Sequence, residues 1–388
     1  MKGFRARVDY LLKHNQAAQW LYTHGLSVGF RFLGLFVRTD ERLVLLSAHG
    51  RGYNDSPRVL YEQMLSDPRC AHLRYIWALE DPESMAIEGC EKVKADTPKY
   101  FYLALKARYW ITCVNIERGL HFKKKRTFYL NTWHGTPLKT IGNAAGGRKD
   151  YDFSSVDCFL CAGDYERNIF VRDMGVRPDA LLCAGLPRND ALYRADAQAV
   201  ADARQKLGVP DGLRVILYAP TWRDSADGGS SYQIAPPIDM AKWKARLSGK
   251  YLVLMRAHAY TSQLLGLTFD DFLRDATDYP CVNDLLLAAD MLITDYSAIL
   301  LDYAILERPL ICFGYDYEAY RAARGLYLDL DQVIPGGVKR TEDEVLERIT
   351  NMDYPAECRR TARLKAQYLT CGGHATQMCL DALMEDKR

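Results

Sequence analysis

The stretch Asn131-Thr132-Trp133-His134-Gly135-Thr136-Pro137-Leu138-Lys139 combines a histidine with a lysine five positions later, on a small-residue turn. An imidazole can accept a proton near neutral pH and an ammonium can hold an anion. Gly135 permits close backbone approach, and Pro137 fixes the turn. Three more clusters carry the same kind of chemistry: Thr221 with Arg223, Arg256 with His258, and Thr294-Asp295-Tyr296-Ser297 followed by Asp302. Ser297 has the form of a helix N-cap, where exposed N–H groups suit a phosphate. A carboxylate one to two turns into such a helix, as at Asp302, is placed to meet ribose hydroxyls. The cations Arg223, Arg256 and Lys139 complete the charge that a pyrophosphate needs in a site without metal.

These clusters have a common setting. Each follows an apolar run that reads as a strand: Thr127–Leu130 before His134, Arg214–Tyr218 before Thr221, Tyr251–Met255 before Arg256, and Met291–Ile293 before Thr294. Further runs at Leu43–Ser47, Tyr75–Leu79, Tyr109–Val114, Cys158–Ala162, Leu181–Ala184 and Pro309–Phe313 alternate with helical segments. Such alternation predicts a doubly wound parallel α/β sheet, whose ligands bind at the carboxyl ends of the strands. A helix with Ser56 as cap and Pro57 at its first turn is expected after the first strand, a polar helix around Ala191–Leu207, and another from Ala298 to Leu306.

At 388 residues the chain exceeds one ordinary domain. The turn cluster Gly208-Val209-Pro210-Asp211-Gly212 divides it into two α/β halves, 39–207 and 208–388, each supplying half of a site. Residues 1–38 stand apart, with six Lys/Arg against a single acid, Asp9, interleaved with aromatic and aliphatic residues. Val8, Leu11 and Leu12 have helical spacing. A basic helix with an apolar face either lies on an anionic membrane surface or packs on the body of the protein. The cluster Lys123–Arg126 is a solvated loop or meets lipid phosphates. The loop at Gly142–Lys149 and the segment Asp224–Ser231 read as mobile.

The balance of 51 basic and 49 acidic residues argues against a nucleic-acid binder. Eleven cysteines without framework spacing, many in apolar runs such as Cys113, Cys183 and Cys312, suit a reducing compartment. Cys158 and Cys161 sit on a strand and point to opposite faces, which disfavours a metal or redox pair. Asp329-Leu330-Asp331 has a metal–nucleotide spacing expected by chance among this many acids. There is no P-loop, dinucleotide glycine fingerprint or nucleophile elbow, no signal peptide and no spanning segment.

Trp133–Lys139, Pro220–Arg223, Arg256–His258 and Thr294–Ser297 with Asp302-Tyr303, in this order, resemble the CDP-glycerol glycerophosphotransferases of teichoic acid synthesis. The similarity runs from about Leu43 to Thr376 and includes Asp55-Ser56-Pro57 and Arg308-Pro309-Leu310. The resemblance implies a GT-B fold of two Rossmann-like domains facing a cleft. It also implies transfer of glycerol phosphate from CDP-glycerol to a hydroxyl of a lipid-linked acceptor, with release of CMP and no cofactor. His134 and His258 match the family's essential histidines, and the region of Ser297 and Asp302 matches its nucleotide site. Family members are peripheral proteins of the cytoplasmic membrane face. Where the family often has an Asp-Gly-Lys-Ala-Ser stretch, this chain has Gly372-Gly373-His374-Ala375-Thr376. Rival readings are a ribitol phosphate or nucleotide-sugar transferase of the same fold, and a non-catalytic nucleotide-binding protein at the membrane.

Overall fold

A computed structural model describes residues 15–145, 151–221, 236–257 and 267–386. Seven strands form a first sheet: β1 (Asp40–Ser47), β2 (Arg74–Leu79), β3 (Cys90–Lys94), β4 (Ala107–Thr112), β5 (Phe128–Asn131), β6 (Cys158–Cys161) and β7 (Leu181–Cys183), in the order β3-β2-β1-β4-β5-β6-β7. Six form a second: β8 (Arg214–Ala219), β9 (Tyr251–Met255), β10 (Leu273–Asp275), β11 (Met291–Thr294), β12 (Leu310–Phe313) and β13 (Val338–Lys339), in the order β10-β9-β8-β11-β12-β13. The ladders within both sheets are parallel.

The apolar runs are continuous because both faces of each sheet are covered. Leu43 and Leu45 enter one core while Val44 and Leu46 enter another across the sheet. Val215 and Leu217 alternate with Ile216 and Tyr218 in the same way. Each sheet winds outward from its first strand and then reverses, leaving crevices between the ends of β1 and β4 and between β8 and β11. The edge strands β3, β10 and β13 are absent from the sequence reading. They are short, and β3 carries three charged residues in five, Glu91, Lys92 and Lys94, instead of forming an apolar run.

Helix α1 (Gln16–Phe36) holds to the body along a narrow stripe. Phe30 packs on Phe101 and Phe122, Ser27 Oγ accepts from the His121 amide at 3.1 Å, and Arg31 Nε donates to the His121 carbonyl at 2.6 Å. Much of its described surface is apolar and uncovered, with Leu35 79% and Phe36 75% exposed, alongside Trp20, Leu21, Val28, Phe32 and Leu33. Val8, Leu11, Leu12 and the basic residues before it, Lys2, Arg5, Arg7 and Lys13, lie outside the described residues.

Three helix boundaries differ from expectation. Helix α2 (Asp55–Ser66) starts at Asp55 with Asn54 at its cap, so Ser56 is buried inside the first turn. The polar segment after Asn189 breaks into Asp190–Tyr193 and Ala197–Lys206, because Asp196 caps the second piece through the Ala199 amide. The helix after β11 spans only Ile299–Ala304, with Ala298 and not Ser297 at its cap.

The C-terminal helix α3 (Ala375–Met384) crosses back. Ala375, Cys379, Leu380 and Leu383 are buried in the core of the first sheet, and Asp190 caps the helix by accepting from the Ala375 and Thr376 amides at 3.0 and 2.8 Å. The division at residue 208 assigns this helix to the second half, and its packing is with the first. Just before it, Cys371 is disulfide-bonded to Cys183, which the sequence reading treats as a small hydrophobe. The pair is 188 residues apart, so nothing local announces it. Cys158 and Cys161 are free and buried.

Leu380→Ala should destabilise the first sheet's unit by about 2–5 kcal/mol, since the side chain is fully enclosed. Denaturant unfolding reads this. A change below about 1 kcal/mol would show that α3 does not contribute to that core.

Candidate functional site

Asn131 ends β5, and its Oδ1 accepts from the Trp133 amide at 2.9 Å, turning the chain sharply. Trp133 is held at φ +55°, a left-handed conformation that costs a non-glycine residue roughly 1–2 kcal/mol. Its ring is anchored among Phe153, Phe159 and Phe170, which keeps the strained turn in place. His134 is thereby projected over the crevice between β1 and β4. Its Nδ1 lies 2.7 Å from the Cys113 carbonyl, just past the end of β4. A carbonyl can only accept, so Nδ1 carries the proton and Nε2 keeps its lone pair. Burial holds the His134 pKa below its ordinary 6.5, the Cys113 carbonyl pulls the other way, and His49 adds repulsion. His49, past the end of β1, has its ring 5.4 Å from that of His134.

Gly135 follows at φ +142°, and a Cβ placed there would lie 2.7 Å from the Cβ of Ala298. The His134 turn therefore abuts the junction between β11 and the helix Ile299–Ala304. Leu138 of the turn shares an apolar cluster with Tyr296 and Leu300. Lys139 pairs with Leu326 in an isolated antiparallel bridge, and its ammonium lies 5.8 Å from the Tyr320 ring centre. The two sheets thus face each other with their strand ends in contact.

One residue that the sequence reading overlooked sits at this contact. Arg188, only 13% exposed, donates from Nη1 to Asp55 Oδ2 at 2.6 Å and to the His134 carbonyl at 3.0 Å. Its Nη2 donates to Asp302 Oδ2 at 2.7 Å, and Asn189 Nδ2 reaches Asp302 Oδ1 at 2.6 Å. Asn283 of the second half donates back to the Arg188 carbonyl. Both oxygens of Asp302 are thus engaged by the first half, where the sequence reading turns them toward a ribose. Glu166, in the helix Asp164–Met174, backs the turn. Burial pushes its pKa up to about 7, against hydrogen bonds from Thr136 and the Ala162 amide.

The second half's residues fall into two groups. Thr294 Oγ1 is buried and donates to the Ala219 carbonyl at 2.7 Å, so it ties β11 to β8. Thr221 binds Asp295 across the β8/β11 crevice, through its hydroxyl and through its amide at 3.0 Å. Ser297 Oγ accepts weakly from the Ile299 amide at 3.4 Å. Arg256 Nη1 donates to the carbonyls of Ala276 and Tyr279 at 3.0 and 2.8 Å, and burial lowers its pKa. Arg223 and His258 lie outside the described residues, as do Asp224–Ser231 and the second half of Gly142–Lys149, residues 146–149. The Asp329/Asp331 pair is occupied structurally. Asp329 caps a short helix, and Asp331 forms a two-pronged pair with Arg340 at 2.6 Å.

The model of the CDP-glycerol:poly(glycerophosphate) glycerophosphotransferase family matches residues 30–374. A teichoic acid glycerol-phosphate transferase of Staphylococcus aureus is 31% identical over 357 residues, covering 87% of this chain and 90% of its own. A teichoic acid poly(glycerol phosphate) polymerase of Staphylococcus epidermidis is 32% identical over 332 residues, covering 81% of this chain but 46% of its own. The chain thus spans about half the length of that polymerase. A variant of the wall teichoic acid polymerase TagF, soaked with CDPG, superposes with a TM-score of 0.81 at 27% identity, covering 93% of each chain. With the two facing parallel sheets, this establishes the GT-B architecture.

Arg188→Ala would leave the buried Asp302 and the largely enclosed Asp55 without their cation. It should cost about 3–5 kcal/mol of stability by denaturant unfolding. A cost under about 1 kcal/mol would show that the junction is solvated rather than buried.

Proposed function

The chain belongs to the CDP-glycerol:poly(glycerophosphate) glycerophosphotransferase family, and from that premise we propose that it transfers glycerol phosphate from CDP-glycerol to a hydroxyl of a lipid-linked acceptor. The observation that carries this reading is His134. It is a neutral imidazole with Nδ1 committed to the Cys113 carbonyl, set on the turn whose Gly135 touches the second half at Ala298.

In the proposed step the acceptor oxygen attacks the β-phosphorus of CDP-glycerol. One P–O bond forms, and the bond from that phosphorus to the bridging oxygen breaks. The hydroxyl proton passes to His134 Nε2, and CMP leaves with the bridging oxygen. Phosphoryl-type transfer depends mainly on positioning and charge stabilisation. Arg256, with Arg223 and His258 assigned from sequence, would stabilise the charge that builds on CMP. Ser297 and Thr221 border the β8/β11 crevice, where a fold of this kind receives its nucleotide. Asp302 acts in this proposal as the second half's anchor for Arg188.

The uncovered apolar surface of α1, with the exposed Lys125 and Arg126 beside it, supports docking on the anionic cytoplasmic face of a membrane, while Lys123 is paired with Asp157 and Lys124 is held by the Val37 and Leu105 carbonyls. Among the described residues no helix is long and apolar enough to cross one.

Mass spectrometry of products from CDP-glycerol and a synthetic lipid-linked disaccharide tests the reaction. The reading expects an acceptor heavier by glycerol phosphate, with CMP released. CDP-glycerol that binds without any product would instead indicate a non-catalytic protein. His134→Ala should lower turnover by ~10²-fold or more with donor affinity retained, and wild-type turnover would remove the base assignment. Because burial depresses the His134 pKa, its base form predominates at neutral pH. The rate kcat/KM should fall only as pH drops through a value below 6.5. An acid limb centred above 7 would contradict this.

A further inference from the structure

Two imidazoles meet over the crevice between β1 and β4. The ring of His49 lies 5.4 Å from that of His134, centre to centre, at an interplanar angle of 45°. Resting on the transfer reading above, we propose that His49 is a positioning residue for that base: in acid it takes the solvent's proton first, and its charge keeps His134 neutral and able to accept the acceptor's proton.

The loop after β1 fixes His49 in this place. Gly50, Arg51 and Asp55 all have left-handed backbones, with φ of +61°, +55° and +58°. Non-glycine residues stay in such conformations only where their surroundings enforce them. Here Arg51 pairs with Glu80 at 2.6 Å and with Asp96, and its carbonyl accepts from the Glu80 amide at 2.9 Å. The His49 carbonyl accepts from Asn54 Nδ2 at 3.1 Å and from the Gly52 amide at 3.3 Å. The backbone of His49 is thus held past the end of β1, next to the end of β4, where the Cys113 carbonyl holds His134.

The two rings differ in their surroundings. His49 is exposed, and an exposed imidazole charges as the solution turns acid. His134 is half-buried, and burial disfavours a charge on it. The first proton therefore goes to His49, and the second must be placed beside a positive charge. At such a separation two unit charges move the second titration down by about 0.5–2 pH units, the limits being the dielectric of water and that of a protein surface.

Other groups face His134, and their pulls are separable from this one. Asp55 favours a positive charge there and Arg188 opposes it, and the two are paired with each other at 2.6 Å. The Cys113 thiol is buried and kept neutral, its pKa raised by that burial. Glu166 titrates at about 7 and is bonded to Thr136 and the Ala162 amide. Arg118, His121 and Asp152 line a cavity that His134 also lines. All of these remain in place when His49 alone is changed.

Nitrogen-15 NMR of the histidine-labelled full chain, with His134→Gln to assign the signal, reads the His134 titration without any substrate. His49→Gln and His49→Phe should each raise its midpoint by at least about 0.5 pH unit. His49→Lys restores a charge and should hold the midpoint near the wild-type value. Raising the ionic strength from about 0.01 M to about 1 M shortens the Debye length from about 30 Å to about 3 Å. The midpoint should then rise further in wild type than in His49→Gln, a comparison whose wild-type arm depends on no substitution. With CDP-glycerol and a synthetic lipid-linked disaccharide as substrates, the acid limb of kcat/KM should move in step with the midpoint. A wild-type midpoint in His49→Phe would show that ring contact and not charge links the two histidines, and would overturn the proposal. A midpoint insensitive to all three substitutions would overturn it equally. Midpoints shifted as expected in a chain without turnover would uphold the coupling and overturn the transfer reading alone.

Discussion

The guanidinium of Arg188 meets Asp55 from the first half, Asp302 from the second and the backbone carbonyl of His134, with only 13% of its side chain exposed. Charges this far from water are tolerated only when paired and fully hydrogen-bonded. The same geometry is therefore a condition on the whole molecule. It holds the helix Ile299–Ala304 at a fixed distance from the His134 turn, and Asn189 and Asn283 reinforce it from either side. Gly135 is the steric counterpart. With no side chain at that position, the two halves approach to van der Waals contact beside His134.

The imidazole of His134 is set by the backbone rather than by a carboxylate partner. The strained Trp133, the aromatic cluster around it and the Cys113 carbonyl together fix the ring and its tautomer, and burial lowers its pKa. An imidazole that is neutral at working pH with one nitrogen committed has a single place to take a proton. General-base work needs this, whereas a binding role would not. Glu166 behind the turn shows the same economy of charge. Enclosed beside Thr136, it titrates near neutrality instead of adding a permanent negative charge to the junction.

Much of this was legible in the sequence because it is local. Apolar runs such as Val215–Tyr218 and Leu252–Met255 announce buried parallel strands. Polar residues just beyond them, His134, Thr221 and Arg256 among them, must then lie at one edge. What stayed hidden depends on contacts between distant segments. Arg188 looks like one basic residue in a loop, and its role exists only because residues 55, 134 and 302 converge on it. Asp302 has the right spacing for a ribose contact, yet it is turned into the interface by Arg188 and Asn189. His49 carries no spacing signal, and only the adjacency of β1 and β4 brings it to His134. The return of α3 to the first sheet and the Cys183–Cys371 bond are consequences of the path of the chain, which no window of sequence contains.

The fold presents His134 as an imidazole whose Nδ1 is committed to the Cys113 carbonyl and therefore carries the proton. Nitrogen-15 NMR of histidine-labelled protein, with His134→Gln to assign the signal, reads tautomer and titration together. The account predicts an Nδ1–H tautomer at neutral pH that protonates only below 6.5. An Nε2–H tautomer, or an imidazolium that persists above pH 7, would contradict it.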